Sequence, residues 1–300
     1  MSPKVSRPAA ALRLALAWAA CLVAGDSAAQ PAGGERCAGA RAQDAQIQGA
    51  QAFVYRDAGR PLKIHVLRPA QGGEAAPAAL FFFGGAWRQG QVSQFADQAR
   101  ALQAKGYVVG LVDYRVLCRD GTTPFEAVTD AAKAYEWLLA HSRELGVDRR
   151  RIVLAGGSAG GHLALMTALG ARADARPAAL VLFNPAVDLT SPLIRQATGL
   201  DETDARAISP ALLDLRPLPR MAILHGENDQ LVPIAAVRAF CARAVAAGAD
   251  CLLIAYAGQG HGFFNLRTAK EGVSPFEATL ARTLEFLGDE GSAGGAAPKP

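Results

Sequence analysis

A serine stands among glycines in the stretch Gly156-Gly157-Ser158-Ala159-Gly160, which fits the pattern G-x-S-x-G. A strand-like apolar run precedes the stretch and a helical run follows it, which is the context in which this motif exposes a serine. The glycines permit the sharp turn because they carry no side chain that collides with the neighbouring strand or helix. Ser158 is therefore a candidate nucleophile. The alternative is a turn in which the serine only caps the helix, while a phosphate loop is disfavoured because no Lys-Ser or Lys-Thr follows.

A serine hydroxyl needs a base, and a group that orients this base, before it can attack a carbonyl carbon. Asp229 and His261 offer both in the chain order Ser, Asp, His, and each follows a strand-like apolar run. Because ligands bind at the carboxyl ends of parallel strands, we expect both side chains on the same edge as Ser158. Glu227 and Asp188 are the alternatives for the acid, and a solvated loop residue is the alternative interpretation of His261.

The other four histidines of the chain lie on predicted strands or helices rather than in such a loop. His162 is close to the candidate nucleophile in the chain, but it belongs to the helix that follows the turn. We therefore prefer His261 as the base. The remaining histidines are His65, His141 and His225.

Acyl transfer also requires N–H donors for the oxyanion that develops on the carbonyl oxygen. The run FFFGGAWRQG, residues 81–90, places a Gly-Gly-Ala turn directly after a predicted strand. We expect the backbone N–H groups of Gly85 and Ala86 to form this oxyanion hole together with the N–H of Ala159. An ordinary tight turn is the alternative. Trp87 either lines the acyl side of the substrate pocket or packs in the core.

Strand-like apolar runs alternate with helical patterns along the chain, which predicts an α/β protein with a mostly parallel sheet. The central runs are continuously apolar, as expected for strands that are covered on both faces. The predicted strands are 52–56, 61–69, 78–83, 107–114, 151–156, 178–184, 220–226 and 251–257. The predicted helices are 92–106, 124–146, 162–170, 234–248 and 275–288.

The composition suits one large globular domain, since the 300 residues are 51% hydrophobic and 19% charged. We place this domain at residues 51–289, between a flexible lead-in at 30–50 and a flexible tail at 290–300. The net charge is +4, but the basic residues form no long run, so nucleic-acid binding is not expected. Neither a CxxC spacing nor an Hx3H pair occurs, so no structural metal is expected.

The first 29 residues have the composition of a secretory signal peptide. Three basic residues precede an apolar core at 14–25, and small residues lead up to Ala29. The apolar core is too short to predict a membrane span. We therefore expect cleavage after Ala29 and a secreted or periplasmic protein with no span in the mature chain. A buried N-terminal helix and a lipoprotein anchored through Cys21 are the alternatives.

Export makes the four cysteines beyond this leader informative, because disulfides persist in oxidising compartments. Cys241 and Cys251 flank a predicted helix end and strand start, so the returning chain can bring them within bonding distance. We predict a disulfide between them and name Cys37 with Cys118 as a second candidate pair. Four unpaired thiols are the alternative.

From about Phe53 to Leu287 the chain resembles α/β-hydrolases of the esterase and lipase type. It is similar to the hormone-sensitive-lipase-like and the acetyl-xylan or feruloyl esterase-like groups. The resemblance implies eight central strands with flanking helices, a Ser-Asp-His triad and no cofactor. The segments that carry it are FGGAW (83–87), DYRV (113–116), GGSAGGHLAL (156–165), GENDQLVP (226–233) and GQGHGFF (258–264).

The chain departs from the HGGGW motif of this family at two positions. Phe83 replaces the histidine, so the imidazole that would brace the loop is absent. Ala86 replaces the last glycine but keeps its N–H, so the oxyanion hole should still form if the backbone does not require a positive φ there.

The resemblance and the residues together predict a serine carboxylesterase that acts on short-acyl esters, with acetyl or feruloyl groups on carbohydrate as candidates. The insertion at 188–210 is short and polar for a lipase lid, which favours an open site and a small-molecule or polysaccharide-borne ester. An amide-cleaving hydrolase of the same fold and a non-catalytic binding module are the alternative functions.

Overall fold

The computed structural model describes Cys37 and residues 46–70, 75–215, 218–268 and 272–288. All of these residues belong to one unit of the chain, Gly33–Pro300. The predicted signal peptide with Cys21, most of the predicted lead-in and the predicted tail lie outside the described residues. Among the described helices, none has the length and apolar character needed to cross a membrane.

Eight strands in the described part of the chain form a single sheet. They are β1 (Gln51–Asp57), β2 (Pro61–Leu67), β3 (Ala76–Phe82), β4 (Val108–Val112), β5 (Val147–Gly157), β6 (Ala179–Phe183), β7 (Arg220–Gly226) and β8 (Cys251–Tyr256). Their order is β1-β2-β4-β3-β5-β6-β7-β8. β2 is antiparallel to both of its neighbours and all other pairs are parallel. The prediction of a mostly parallel eight-stranded sheet is confirmed.

The central strands are buried along their whole length. All five residues of β4 (VVGLV) and of β6 (ALVLF) are buried, because helices cover both faces of the sheet. This pattern explains why their sequences are continuously apolar rather than alternating. The sheet is therefore a rigid support, and the loops at the carboxyl ends of its strands are held at fixed positions.

The helices connect successive strands, as in an α/β arrangement. In the described ranges they are α1 (Ala96–Ala104), α2 (Leu117–Asp120), α3 (Pro124–Ala140), α4 (Ser142–Leu145), α5 (Ala159–Gly170), α6 (Pro192–Thr198), α7 (Glu202–Ala207), α8 (Ile234–Ala246) and α9 (Pro275–Gly288). A capping box formed by Thr123 and Glu126 starts α3, with Pro124 in its first turn. The insertion at 188–210 contains α6 and α7, two short helices that were not predicted.

Both candidate cysteine pairs are bonded in the structure. One disulfide joins Cys241, near the end of α8, to Cys251, the first residue of β8. The other joins Cys37 to Cys118 in α2. The second bond ties a residue from the predicted lead-in to the domain.

Candidate active site

Ser158 lies in a sharp turn between the last residue of β5 and the first residue of α5. Its φ is +53°, a value that non-glycine residues rarely adopt and that marks local strain. A Cβ at Gly160 would collide with the carbonyl oxygen of Phe82, so the glycine there is required for close packing of the turn. The side chain of Ser158 makes no capping bond to the helix, which argues against the cap interpretation.

The structure brings Ser158, His261 and Asp229 together, as the sequence predicted. The Nε2 atom of His261 lies 2.9 Å from the Oγ of Ser158. The Nδ1 atom of the same ring lies 2.8 Å from Oδ2 of Asp229. These residues follow β5, β8 and β7 at the carboxyl edge of the sheet. The arrangement lets the imidazole accept the serine proton at Nε2 while its Nδ1–H is held by a carboxylate.

Asp229 is fixed by hydrogen bonds on both carboxylate oxygens. The backbone N–H groups of Leu231 and Val232 each donate to Oδ1 at 2.9 Å, and His261 is bonded to Oδ2. Burial alone would raise the pKa of Asp229, but the bonds from His261, Val232 and Leu231 outweigh it, so the pKa is lowered. The carboxyl group is therefore held in its ionised form, which orients the imidazole.

The two alternative acids have other partners. A terminal nitrogen of Arg238 donates to Glu227 at 3.2 Å on the protein surface. The Oδ1 atom of Asp188 accepts bonds from the N–H and the hydroxyl of Thr190. Neither carboxylate has a recorded bond to His261, so the geometry favours Asp229.

Two other histidines are buried near the site. His162 is fully buried, its Nε2 donates to the carbonyl of Ile208 at 2.7 Å, and burial lowers its pKa to about 4. It therefore has a structural partner and is not directed at the serine. Nε2 of His225 donates to the carbonyl of Val232 at 2.8 Å and lies 3.4 Å from Oδ2 of Asp229. This contact has no signal in the sequence, because His225 lies on a strand and Asp229 in the loop that follows it.

The turn after β3 presents the predicted oxyanion donors. Gly85 and Ala86 line the cavity that contains Ser158, and Ala159 begins α5 directly after the serine. Within the described part of the chain, no protein acceptor is recorded for these three backbone N–H groups. They are therefore available to an oxygen bound above the serine.

The backbone of this turn has a positive φ at Ala86, the position where alanine replaces the glycine of the HGGGW motif. The φ angles of Ala86 and Trp87 are +55° and +56°, in the left-handed region. Such a conformation costs an L-residue roughly 1–2 kcal/mol. The alanine that replaces the family's glycine is thus accommodated with strain rather than freely.

Other contacts support the turn in place of the missing imidazole. The Phe83 ring stacks on Tyr114, with ring centroids 4.0 Å apart, and the Tyr114 hydroxyl donates to the Phe83 carbonyl at 2.6 Å. The N–H of Gly84 donates to Oε1 of Gln94 at 2.6 Å. Gln94 had no signal in the sequence, whereas Tyr114 belongs to the DYR segment noted above.

Trp87 is packed in the interior rather than exposed in the pocket. Only 3% of it is exposed, and its ring meets that of His162 edge-on at a centroid distance of 5.0 Å. It is absent from the residues that line the cavity beside Ser158. Of the two predictions for this residue, the structure supports the packed one, so the substrate-pocket role of Trp87 is corrected.

The cavity beside Ser158 has a volume of about 300 Å³. Of the predicted site residues, four line it: Gly85, Ala86, Ser158 and His261. Its walls also include Arg88, Gln94, Asn184 and Leu231. None of the residues in the fully described insertion 188–210 lines it. In the described ranges, no group of three or more His, Cys, Asp or Glu side chains could hold a metal ion.

Asn184 was not singled out from the sequence, although it ends a predicted strand. It follows β6 with a φ of +36° and is fully buried. Its Oδ1 accepts the N–H of Gly262 at 3.2 Å, which ties the loop that carries His261 to the end of β6.

Residues 79–265 match the model of a protein family whose members have the alpha/beta hydrolase fold. Among curated proteins, the chain is 31% identical over 193 residues to a probable carboxylic ester hydrolase, LipM, of Mycobacterium tuberculosis; the match covers 55% of this chain and 44% of that protein. It is 28% identical over 246 residues to Lipase 2 of Moraxella sp., covering 65% of this chain and 56% of that protein. The chain thus spans about half the length of these curated relatives.

A solved structure similar to this fold is that of esterase 2 from Thermogutta terrifontis. The identity is 32% and the TM-score 0.74, covering 85% of this chain and 97% of that chain. The same esterase has been solved with butyrate bound and phosphorylated by paraoxon. Since the family match spans more than half of the chain and agrees with the sheet described above, this protein belongs to the α/β-hydrolase family.

Proposed function

We propose that this protein is a serine carboxylesterase that hydrolyses short-acyl esters with Ser158, His261 and Asp229. The hydrogen-bonded chain from Asp229 through His261 to Ser158 carries the proposal. Relatives named as a carboxylic ester hydrolase, a lipase and an esterase support the same reaction class. A non-catalytic binding module has no need for such a chain of contacts.

The geometry suits a two-step acyl transfer. His261 takes the proton of Ser158 as the Oγ attacks the ester carbonyl, and Asp229 holds the imidazole that becomes charged. The N–H groups of Gly85, Ala86 and Ala159 stabilise the oxyanion. His261 then protonates the departing alcohol, which leaves an acyl group on the serine. Water, deprotonated by the same histidine, releases the acid and restores the enzyme.

The size of the cavity supports a short acyl group. Its volume of about 300 Å³ lies at the lower end of the range for small-molecule sites, roughly 300–1,000 Å³. Part of that space must hold the alcohol, so little remains for a long chain. We propose that acetyl or feruloyl groups on carbohydrate are among the natural esters.

We also propose that the protein acts in an extracytoplasmic compartment, secreted or periplasmic. The two disulfides support this location because such bonds persist where the environment is oxidising. The composition of residues 1–29 supports it independently. Anchoring through Cys21 is the alternative form of export.

Labelling with a fluorophosphonate probe tests the proposed nucleophile. Wild-type protein and a Ser191→Ala control, altered outside the cavity, should both be labelled, whereas Ser158→Ala should not. A folded wild type without label on Ser158 would show that the proposed mechanism is wrong. Hydrolysis of acetyl, butyryl, octanoyl and feruloyl esters and of acetylated xylan then ranks the substrates. A higher kcat/KM for octanoyl than for acetyl esters would contradict the short-acyl preference.

A further inference from the structure

The cavity beside Ser158 contains a cation without a counter-ion. Arg88 lines this cavity, and no ion pair to Arg88 exists among the described contacts. No Asp or Glu among the described residues lines the same cavity. By contrast, Arg60 and Arg119 near β2 and β4 each pair with Asp113 and Asp120. Among the described residues, Arg88 therefore faces the cavity without a carboxylate that neutralises its charge.

Arg88 is also partly withdrawn from water. The residue is half-buried, and its Nε is buried without any recorded hydrogen-bond acceptor. Removing a donor of a charged group from water without giving it a partner is unfavourable. An acceptor supplied by a bound ligand would remove this cost.

Asn184 supplies a second buried N–H donor without an acceptor at the cavity. Asn184 is fully buried, and while its Oδ1 accepts the N–H of Gly262, its Nδ2 has no recorded acceptor in the described structure. It follows β6, whereas Arg88 follows β3, and β5 with Ser158 lies between these strands. Two unused N–H donors therefore flank the candidate nucleophile, which points to a ligand with several acceptor oxygens.

We propose that the ester hydrolysed at Ser158 carries a carboxylate group, which Arg88 binds. The planar guanidinium matches a carboxylate and can donate two parallel hydrogen bonds to it. Asn184 donates to a further oxygen of the same substrate. This inference rests on the proposed esterase function and specifies the chemical class of its substrate.

The position of Arg88 places the carboxylate near the ester bond. Its backbone N–H donates to the carbonyl of Gly85 at 3.0 Å, so Arg88 belongs to the same short turn as the proposed oxyanion donors. A substrate carbonyl held by Gly85 and Ala86 would thus lie close to this residue. The carboxylate belongs to a small acid or to a uronic acid ring, only a few bonds from the scissile ester.

Two pairs of near-isosteric esters test the inference. Monomethyl succinate carries the carboxylate on the acyl side, and methyl levulinate replaces it with a methyl ketone. Acetoxyacetate carries the carboxylate on the alcohol side, and acetoxyacetone is its neutral partner. The kcat/KM of each ester, measured by titration of the released acid, gives an anionic-to-neutral ratio for each side of the ester bond.

The ratio should fall at least about tenfold in Arg88→Gln for one of the two pairs, since charge-assisted bonds are roughly twice as strong as neutral ones. Arg150→Gln is the matched control, because it removes the same positive charge at a site away from the cavity. The Arg150 side chain is 90% exposed and lies near the start of β5, whereas Ser158 follows the end of this strand. Its ratios should equal those of the wild type. Ratios that are unchanged in Arg88→Gln for both pairs, or that fall equally in Arg150→Gln, would overturn the inference.

The outcome is distinguishable from a failure of the esterase function. If neither ester of any pair is hydrolysed and Ser158 takes no fluorophosphonate, the proposed function itself is wrong. If neutral esters are hydrolysed and Arg88→Gln changes no ratio, only the carboxylate preference is wrong. Should Arg88→Gln fail to fold, calorimetry with Ser158→Ala replaces it. That variant should bind one anionic ester more tightly than its neutral partner, and equal affinities for both pairs would overturn the inference.

Discussion

The Nε2 atom of His225 lies 3.4 Å from Oδ2 of Asp229, the same oxygen that His261 approaches at 2.8 Å. The carbonyl of Val232 accepts the Nε2–H of His225, so this nitrogen carries the proton and its dipole faces the carboxylate. Burial lowers the pKa of His225 and favours the neutral ring. His225 therefore links the last residues of β7 to the loop that holds the acid.

Two substitutions of His225 distinguish the hydrogen bond of its Nε2–H from the packing of its ring. In Gln, Nε2 is as many bonds from Cα as the Nε2 of histidine, whereas the amide nitrogen of Asn is one bond closer. We expect His225→Asn to lower kcat by up to about tenfold, because the hydrogen bond to the Val232 carbonyl, which holds the loop that carries Asp229, contributes roughly 0.5–1.5 kcal/mol. His225→Gln can keep this bond and should lose much less. Steady-state kinetics on a short-acyl ester, at a temperature where both variants are folded, measures the difference. Equal losses in both variants would contradict the role of the Nε2–H.

The acid is tested by a matched pair of amide variants. Asp229→Asn keeps the size of the side chain but removes the charge that orients His261, so kcat should fall by roughly 10²–10⁴. Glu227→Gln, on the surface beside Arg238, should leave kcat within about twofold, as expected for an exposed ion pair. Kinetics on the same ester compares the two. The reverse pattern would transfer the role to Glu227.

Gln94 is expected to hold the oxyanion turn through the N–H of Gly84. Gln94→Ala leaves that N–H without its acceptor, and kcat should fall by about tenfold, less than the 10²–10³ for removing an oxyanion donor itself. Gln94→Glu retains an acceptor oxygen at the same position and should keep most of the activity. Rates measured on a neutral acetyl ester test this. Comparable activity of Gln94→Ala and wild type would show that the turn is held by other contacts, such as the Phe83–Tyr114 stack.

Much of the fold could be predicted because the strands depend on local apolar runs. β6 was expected at 178–184 and is found at Ala179–Phe183, since its neighbours and the helices bury every residue. The first four residues of β5, VDRR, lie outside the strand predicted at 151–156 because they are mostly polar. This part forms a strand through pairing between Val147 and Ala76, a contact that no local pattern reveals. The short helices α2, α6 and α7 contain too few turns for a periodic signal.

Residues of the candidate site could be predicted where they directly follow a strand, because the ends of parallel strands lie at one edge of the sheet. Ser158, Asp229 and His261 each follow a recognisable strand, so their meeting follows from sheet topology. Gln94 and Asn184 act through contacts with Gly84 and Gly262 across loops, and the loop conformations depend on tertiary packing. The sequence therefore predicted which candidate residues meet at the sheet edge, while the residues that hold them became visible only in the structure.

Stability should depend on pH through His162. The folded protein keeps this buried ring neutral down to a pKa of about 4, whereas the unfolded chain takes up the proton near 6.5. The stability that depends on neutral His162 is therefore fully present above pH 6.5. As the pH falls toward 4, the free energy of unfolding decreases by up to about 3 kcal/mol.

His162→Gln tests this dependence, because glutamine does not titrate and can still donate to the carbonyl of Ile208. Any packing that the variant loses against Trp87 is the same at every pH, so it cancels when two pH values are compared. Urea denaturation at about pH 7.5 and about pH 4.5 should show a smaller loss of unfolding free energy for His162→Gln than for wild type. His225 titrates in both proteins and does not affect this difference. Equal losses in the two proteins would mean that His162 does not stay neutral in the folded state at low pH.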